Sequence, residues 1–317
     1  MKQTIITALD TLRKMDFAEK RHFQAVAYQK AIQQLTAFPG EIASSKDVQH
    51  LPGLGTKILK KIDEIVETGS LAAAERAKAD PAFGAYELLL NVYGIGPSKA
   101  KALIEKGVTT LEKLALEPLT PAQKLGVTYY HDFLERIPRE EMRTHEAYLQ
   151  EELDSAFTMA VVGSYRRGAE SSGDIDVLMT LPDSMTGAER NTLFKNAVAN
   201  LQRLGYIKGV LAFGITKCLC ICQLEGGKAR RLDLLMIPAA EFPYAILYFT
   251  GSDLFNVAFR SYALEKGYTM NEHGMVPTGT AAPPPPMRTE KDIFNFLGLE
   301  YVEPNKRVGK ASVKVIT

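Results

Sequence analysis

The chain has 317 residues, 46% of them apolar and 24% charged, with a formal net charge of +1. That length exceeds one typical domain, and the composition is that of a folded, water-facing chain and not of a disordered one. No window approaches eighteen consecutive apolar residues, which excludes an expected membrane span, and the near-neutral balance excludes nucleic-acid binding by bulk charge, leaving only local basic groups to do it.

Such groups exist at Lys57, Lys60 and Lys61, at Arg166 and Arg167, and at Arg230 and Arg231. Met1 to Asp10 has one lysine and no apolar run followed by a cleavage site, so a signal peptide is not expected. From residue 20 onward, Phe23, Val26, Ala27 and Ala31 recur at helical spacing, as do Ile58, Ile62, Ile65 and Val66. Leu51-Pro-Gly-Leu-Gly55 interrupts the pattern just before the second of these helices, and Gly69 is placed to cap its C-terminus. A like unit follows: Val92-Tyr-Gly-Ile-Gly-Pro97, a helical run from Ser98 to Glu105, then Gly107. The two share apolar-x-Gly-apolar-Gly, a small residue and a lysine at the helix start. Their separation of about forty residues suits a helical repeat, and the pattern resembles the helix-hairpin-helix motif of DNA-binding proteins.

Beyond about residue 155 the character changes. Met159–Val162, Ile175–Met179, Leu219–Cys222 and Leu232–Ile237 read as strands, with a helix over Gly187–Leu204 between them. Phe242–Gly251, a helical run Leu254–Lys266 and a short helix Asp292–Leu297 complete the chain. Pro283–Pro286 reads as a rigid extended loop, a surface connection in preference to a docking motif. Cys218, Cys220 and Cys222 alternate, so they share one strand face. With no turn between them and no nearby histidine they suit packing better than metal binding, and they argue against a secreted disulfide framework. His22, His50, His131 and His145 are scattered, and no motif gives them work.

The densest chemistry lies in Gly163-Ser-Tyr-Arg-Arg-Gly168 and Gly173-Asp-Ile-Asp-Val177. On a strand Asp174 and Asp176 face the same way, and two close carboxylates repel unless a cation lies between them. Alone, the pair equally reads as two solvated acids. Its context favours a metal site: Gly163-Ser164 turns the chain and leaves N–H groups and a hydroxyl for phosphate, and Arg167 adds a planar donor fork. Asp233, on one strand face with Arg231, is a third acid. Hard oxygen donors suit Mg²⁺, and three acids can hold two ions that clamp an in-line phosphoryl displacement.

Here the resemblance to the family X DNA polymerases is close. Gly163 to Val177 is similar to their palm motif almost residue for residue. Leu247-Tyr-Phe-Thr-Gly-Ser-Asp-Leu-Phe-Asn256, Ala263-Leu-Glu-Lys-Gly267, Ile137-Pro-Arg-Glu-Glu-Met142 and Glu290-Lys-Asp-Ile-Phe294 match as well, so that the likeness runs with gaps from about residue 20 to about 304. It points to the beta-type branch, with no extra N-terminal protein-interaction domain expected. It implies an α+β multidomain fold in four parts. Residues 1–79 form an all-α lyase-like domain with the first hairpin, and 80–139 a DNA-binding subdomain with the second. Residues 140–238 form the nucleotidyltransferase-type palm sheet, and 239–317 a C-terminal α+β nucleotide-selection subdomain.

The resemblance implies roles. Ser164, Arg167 and Gly173 contact the triphosphate of an incoming dNTP, Tyr248, Phe249 and Gly251 flank its sugar, and Asp253 lies against its base. Asn256 and Arg260 reach the minor-groove edges of nucleotide and template, and Arg231 steadies the primer end beside Asp233. By sequence alone Tyr248 and Phe249 equally read as a buried aromatic pair. Gly53, Gly55, Gly94 and Gly96 let the hairpin backbones approach DNA phosphates. Each hairpin is implied to hold Na⁺ or K⁺ through carbonyls, those of Gln49, Leu51 and Leu54 and those of Leu90, Val92 and Ile95.

Lys57 and Lys61 share a helix face, where close like charges favour the neutral amine that a Schiff base needs; a solvated basic stripe along DNA fits the spacing equally. By the resemblance Lys61 is the nucleophile of a 5′-deoxyribose phosphate lyase and Tyr28 its supporting tyrosine. There are departures. Phe23 and Gln24 stand where the family has a histidine and a lysine, and Ala73 replaces another basic residue, which predicts weaker preference for a 5′-phosphorylated gap. Leu235 replaces an arginine and His273 a tyrosine of a polar switch, which predicts differently gated closure.

The function expected is thus gap-filling, template-directed DNA synthesis of the base excision repair type. Two Mg²⁺ ions are the expected cofactors, with Mn²⁺ able to take the same ligands. The expected partners are gapped or nicked DNA and dNTP, and the chain is expected to be an intracellular monomer that binds no membrane. No long basic run marks a nuclear address and no Arg-rich leader a mitochondrial one. The competing readings are a template-independent nucleotidyltransferase, which shares the Gly-Ser…Asp-x-Asp core, and a non-catalytic DNA-end binding module, against which the three acids argue.

Overall fold

The computed structural model describes residues 1–316. Helices carry the N-terminal part: α1 (Lys2–Ala18), α2 (His22–Ala37), α3 (Thr56–Thr68), α4 (Ala72–Ala79), α5 (Pro81–Leu90), α6 (Pro97–Glu105), α7 (Leu111–Ala115) and α8 (Pro121–Thr128). In α3 the apolar spacing is realised directly: Ile58, Ile62 and Ile65 are buried on one face, packed with Ile5, Leu9 and Leu35. The helix stops at Gly69, which takes φ +78° and donates its N–H to Ile65 O at 2.8 Å. A second apolar cluster gathers Phe83, Leu89, Val92, Leu103 and Leu114 from α5 to α7 and the hairpin between α5 and α6. Proline opens α5, α6 and α8, where its missing N–H costs nothing. Met1–Tyr130 is one compact unit, and a second begins at His131. The short helix α9 (Tyr130–Leu134) spans that boundary.

In the second unit come β1 (Ile137–Pro138), α10 (Arg139–Glu152), β2 (Thr158–Val161), α11 (Gly163–Arg166), β3 (Ser171–Ser172), β4 (Ile175–Thr180), α12 (Gly187–Arg203), β5 (Ile207–Phe213), β6 (Lys217–Gln223) and β7 (Ala229–Met236). The main sheet has the order β2-β4-β7-β6-β5, and only β4 and β7 run parallel. One face packs on α10 and α12 through Met142, Leu149, Phe194 and Leu201 against Val177, Leu232 and Leu234. Cys218, Cys220 and Cys222 are fully buried on that same face as free thiols, as their alternation predicts. Beyond the sheet lie α13 (Phe242–Thr250), α14 (Asp253–Glu265), the hairpin β8 (Tyr268–Asn271) and β9 (Gly274–Pro277), and α15 (Glu290–Phe296). They share a core of Leu247, Phe255, Phe259, Met270, Met275 and Phe294.

The predicted strands and helices lie within a few residues of the observed ones. The edge strand β5 was not legible: its pairing with β6 slips twice, and its side chains do not alternate in burial. Of the basic pairs, Arg230 is internal. Its guanidinium is buried, donates to both Glu141 carboxylate oxygens at 2.6 and 2.8 Å and reaches Glu135 O at 2.9 Å, so it fastens β7 to α10.

Candidate functional site

Parallel pairing of β4 with β7 sets Asp176 beside Asp233. On β7 the half-buried residues Arg231, Asp233 and Leu235 alternate with buried ones, so Arg231 and Asp233 share a face as expected. Asp174 corrects a detail of the sequence reading. It lies in the bend before β4, where strand alternation does not apply, and Arg231 positions it instead, Nη2 donating to Asp174 Oδ2 at 2.6 Å. Among the described residues no three His, Cys, Asp or Glu side chains stand together as a ready metal-binding group.

The electrostatics still mark an acid cluster. Burial, then the charges of Asp174 and Asp233, push the Asp176 carboxyl up to about 6. Burial, then Asp174, also raises Asp233. Two carboxyls raised by burial and by a neighbouring acid suit a hard cation, so the donor set fits Mg²⁺ in kind.

Val162 N–H donates to Asp176 O at 2.9 Å, which brings the start of α11 against β4. Gly163 there takes φ +65°, and a Cβ on it would stand 3.0 Å from Asp176 Oδ2. Only glycine meets both demands. Ser164 Oγ donates to Ser172 Oγ at 3.0 Å. The two arginines diverge. Arg166 turns inward to Glu290 at 2.6 Å and to Thr250 Oγ1 at 2.7 Å, and the buried Arg307 joins the same Glu290 at 2.6 Å. Arg167 donates to Thr250 O at 2.5 Å and faces a cavity of about 300 Å³, where burial lowers its pKa and Asp253 opposes that shift.

That cavity brings together Arg167, Tyr248, Phe249, Gly251, Asp253, Asn256 and Arg260, all anticipated, and Val257, which was not. Asp253, Asn256, Val257 and Arg260 occupy i, i+3, i+4 and i+7 of α14, one helix face, and Ser252 caps that helix through Phe255 N–H. Val257 is 64% exposed. An aliphatic side chain carries no chemical signal, but its spacing between Asn256 and Arg260 was one. Tyr248 and Phe249 meet edge to face at 5.2 Å, and Asn256 Nδ2 donates to Tyr248 O at 2.7 Å. Ser164 and Gly173 are not among the residues lining this cavity. Leu235 joins the apolar cluster of Leu178, Ala245 and Phe249, while His273 hydrogen-bonds Glu241 at 2.7 Å on the exposed hairpin turn, so the two share no polar contact.

In the first unit the repeat recurs as geometry. Gly53 and Gly94 take φ +85° and +80°, and Gly55 and Gly96 are the extended N-caps of α3 and α6. Leu54 and Ile95 are buried, with N–H groups directed at Leu51 O and Val92 O at 3.5 and 3.1 Å. Gln49, Leu54 and Ile95 carbonyls accept no backbone bond among the described residues. Gln123 Nε2 donates to Gly94 O at 2.7 Å, and Lys99 to Gln123 Oε1 at 2.8 Å. Lys57 is exposed on α3, and Lys61 and Tyr28 are half-buried. Burial first, then Asp16, raises the Tyr28 hydroxyl. Phe23 is 93% exposed on α2, beside an exposed Gln24. Among the described residues no helix is long and apolar enough to cross a membrane.

Four family models match the chain. They are a helix-hairpin-helix domain over residues 1–71, the fingers domain of DNA polymerase lambda over 87–134, the DNA polymerase beta palm over 136–239 and the DNA polymerase beta thumb over 245–308. DNA polymerase lambda of Arabidopsis thaliana is 34% identical over 310 residues, covering 90% of this chain and 58% of the relative. DNA polymerase lambda of Rattus norvegicus is 32% identical over 326 residues, covering 96% and 56%. The chain therefore spans little more than half the length of these relatives.

Proposed function

The chain belongs to the family X DNA polymerases, and we propose that it is a gap-filling repair polymerase that adds dNTP to a primer 3′-hydroxyl as the template directs. The observation that carries this reading is the in-register pairing of Asp176 with Asp233, with Asp174 held beside them by Arg231. Family membership implies a need for divalent metal. Asp174, Asp176 and Asp233 would hold two ions, Mg²⁺ by preference and Mn²⁺ on the same oxygens. When bound, the ions acidify the primer hydroxyl and neutralise the triphosphate.

The chain's own residues do the rest. Arg231 releases Asp174 on loading and turns to steady the primer terminus. Arg167, with Ser164 and Gly173, binds the triphosphate. Tyr248, Phe249 and Gly251 flank the sugar and exclude a ribose, and Asp253 lies against the base. Asn256 and Arg260 touch the minor-groove edges of nucleotide and template, contacts that every correct pair offers alike. The hairpin glycines Gly53, Gly55, Gly94 and Gly96 present N–H groups to phosphates, with Na⁺ or K⁺ on the carbonyls of Gln49, Leu51, Leu54, Leu90, Val92 and Ile95. Residues 1–79, 80–139, 140–238 and 239–317 serve as the four functional parts.

A second activity is proposed for the first unit. The Lys61 amine attacks C1′ of an abasic sugar, loses water to form the Schiff base, and β-elimination then expels the downstream 5′-phosphate strand end. Lys57 and Tyr28 support it, and Phe23, Gln24 and Ala73 leave the grip on the 5′-phosphate weak. The monomeric state and an intracellular setting belong to the same reading.

The test is extension of a labelled primer across a one-nucleotide gap carrying a downstream 5′-deoxyribose phosphate, for wild type, Asp233→Ala and Lys61→Ala. Templated addition lost only with Asp233→Ala, and sugar-phosphate release lost only with Lys61→Ala, are the expected results. Addition that ignores the template would replace the reading with a tailing enzyme. No addition by wild type would leave a DNA-end binding module.

A further inference from the structure

Ala281 to Arg288 links β9 to α15 without regular secondary structure. Each of Pro283, Pro284, Pro285 and Pro286 holds its own φ near about −65° and keeps its predecessor extended, which selects the polyproline II helix of roughly three residues per turn. Burial along the segment carries that period. Ala281 and Pro284 are half-buried and Met287 is buried, whereas Ala282, Pro283, Pro285, Pro286 and Arg288 are exposed. One edge of a three-sided rod therefore faces the protein, and the other two face solvent.

The rod is fastened at both ends. Tyr268 Oη donates to Ala282 O at 3.0 Å, and Met287 sits in the core with Phe294. Arg288 N–H donates to Asp292 Oδ2 at 2.9 Å, in the capping box that starts α15. The prolines have no N–H, and their four carbonyls accept no hydrogen bond among the described residues. The segment is thus pre-ordered, apolar, exposed and rich in unused acceptors.

We propose that Ala282–Arg288 is a docking ligand for a partner domain bearing an aromatic-lined groove with an acidic rim. Such a groove takes two x-Pro dipeptides on successive turns of a polyproline II helix, with tyrosine or tryptophan donors bonding the free carbonyls. The exposed pairs Ala282-Pro283 and Pro285-Pro286 are spaced to fill it, and the residues that such a groove ignores, Pro284 and Met287, are the ones turned inward. Arg288, two residues past Pro286, is exposed, and its backbone N–H and then its charge help keep the Asp292 carboxyl low, without a direct ion pair among the described residues. It fixes the direction of docking by pairing with the acidic rim, and its fork suits a carboxylate. A surface connection would bury every third residue as well; what favours a ligand is that both x-Pro pairs and Arg288 fall on the exposed edges. The inference is independent of the polymerase activity.

The chain contains no tryptophan, so tryptophan fluorescence reports the partner's groove alone. A panel of purified SH3-type domains, some with acidic and some with neutral rims, is titrated with the full chain. Acidic-rim domains are expected to bind saturably, and binding should weaken about tenfold or more with Arg288→Glu and with Pro283→Ala combined with Pro286→Ala. Primer extension serves as the control and should be unchanged in both variants. If either variant fails to fold, the synthetic Ala282–Arg288 peptide must displace the wild-type chain. No binding by any domain, equal binding by the variants, equal binding to neutral rims, or no displacement by the peptide each overturns the proposal.

Discussion

The demands on single residues are sharpest where backbone and carboxylate meet. Gly163 has a positive φ and sits against Asp176, so Gly163→Ala costs about 1–2 kcal/mol in backbone strain and pushes the acid from its place. Primer extension should fall about a hundredfold or more while the melting temperature drops only a few degrees. An unchanged kcat/KM would show that the contact does not position Asp176. The acid itself illustrates a trade between stability and function. Between the unfolded value of 3.8 and the folded value of about 6 the native state keeps the extra proton. Its contribution to stability therefore declines as pH rises through that window and stays unfavourable above it. Asp176→Asn should stabilise the metal-free protein at pH 7–8 by something on the order of 3 kcal/mol, do nothing near pH 4, and abolish nucleotide addition. Chemical denaturation in a chelator at the two pH values measures this, and a gain that did not depend on pH would point to packing instead.

Elements carry the next level of argument. Glu290 on α15 binds Arg166 of α11 and the buried Arg307, so one carboxylate pairs with two guanidinium groups from separate parts of the chain. Glu290→Gln strands both charges and should cost about 3 kcal/mol, with weaker dNTP binding because α11 also carries the start of the Arg167 segment. Equilibrium unfolding and the KM for dNTP test the two halves separately. Leu235 is the converse case: on β7 it faces Leu178, Ala245 and Phe249, an apolar seam where a polar switch was expected to be missing. Leu235→Arg should alter the closing rate and misincorporation, and both left untouched in stopped-flow and single-turnover assays would end the idea of altered gating. What was legible at this scale follows from periodicity. α3 announced itself through Ile58, Ile62 and Ile65 on its buried face, and β7 through the apolar run Leu232–Ile237, with alternation placing Arg231 and Asp233 on one face. β5 was hidden by its bulges, Val257 by its lack of chemistry, and the Asp174–Arg231 contact because a bend and not a strand sets it.

For the whole molecule the puzzle is how a chain with a net charge of only +1 would hold DNA as proposed. Two physically different devices can grip phosphate: lysines, which release counterions, and neutral backbone N–H groups, which release few. Both occur in the first unit, as Lys57, Lys60 and Lys61 along α3 and as the hairpins around Gly53 and Gly94. The two respond differently to salt. Removing Lys57 and Lys60 together should flatten the dependence of log K on log salt by about 2, at a slope of about 0.9 for each phosphate neutralised. Gly53→Ala with Gly94→Ala strains two positive-φ turns and turns their N–H groups off the backbone of the DNA, so it should weaken binding at every salt concentration and leave the slope unchanged. Dissociation constants for gapped DNA measured from low to moderate salt separate the cases. Parallel lines for the glycine pair and a shallower line for the lysine pair would mean that the chain divides its grip between charge and geometry, which is how a nearly neutral protein can hold DNA without being held everywhere by it. A glycine pair that bound as tightly as wild type at every salt concentration would assign the grip to charge alone and remove the hairpins from the interface.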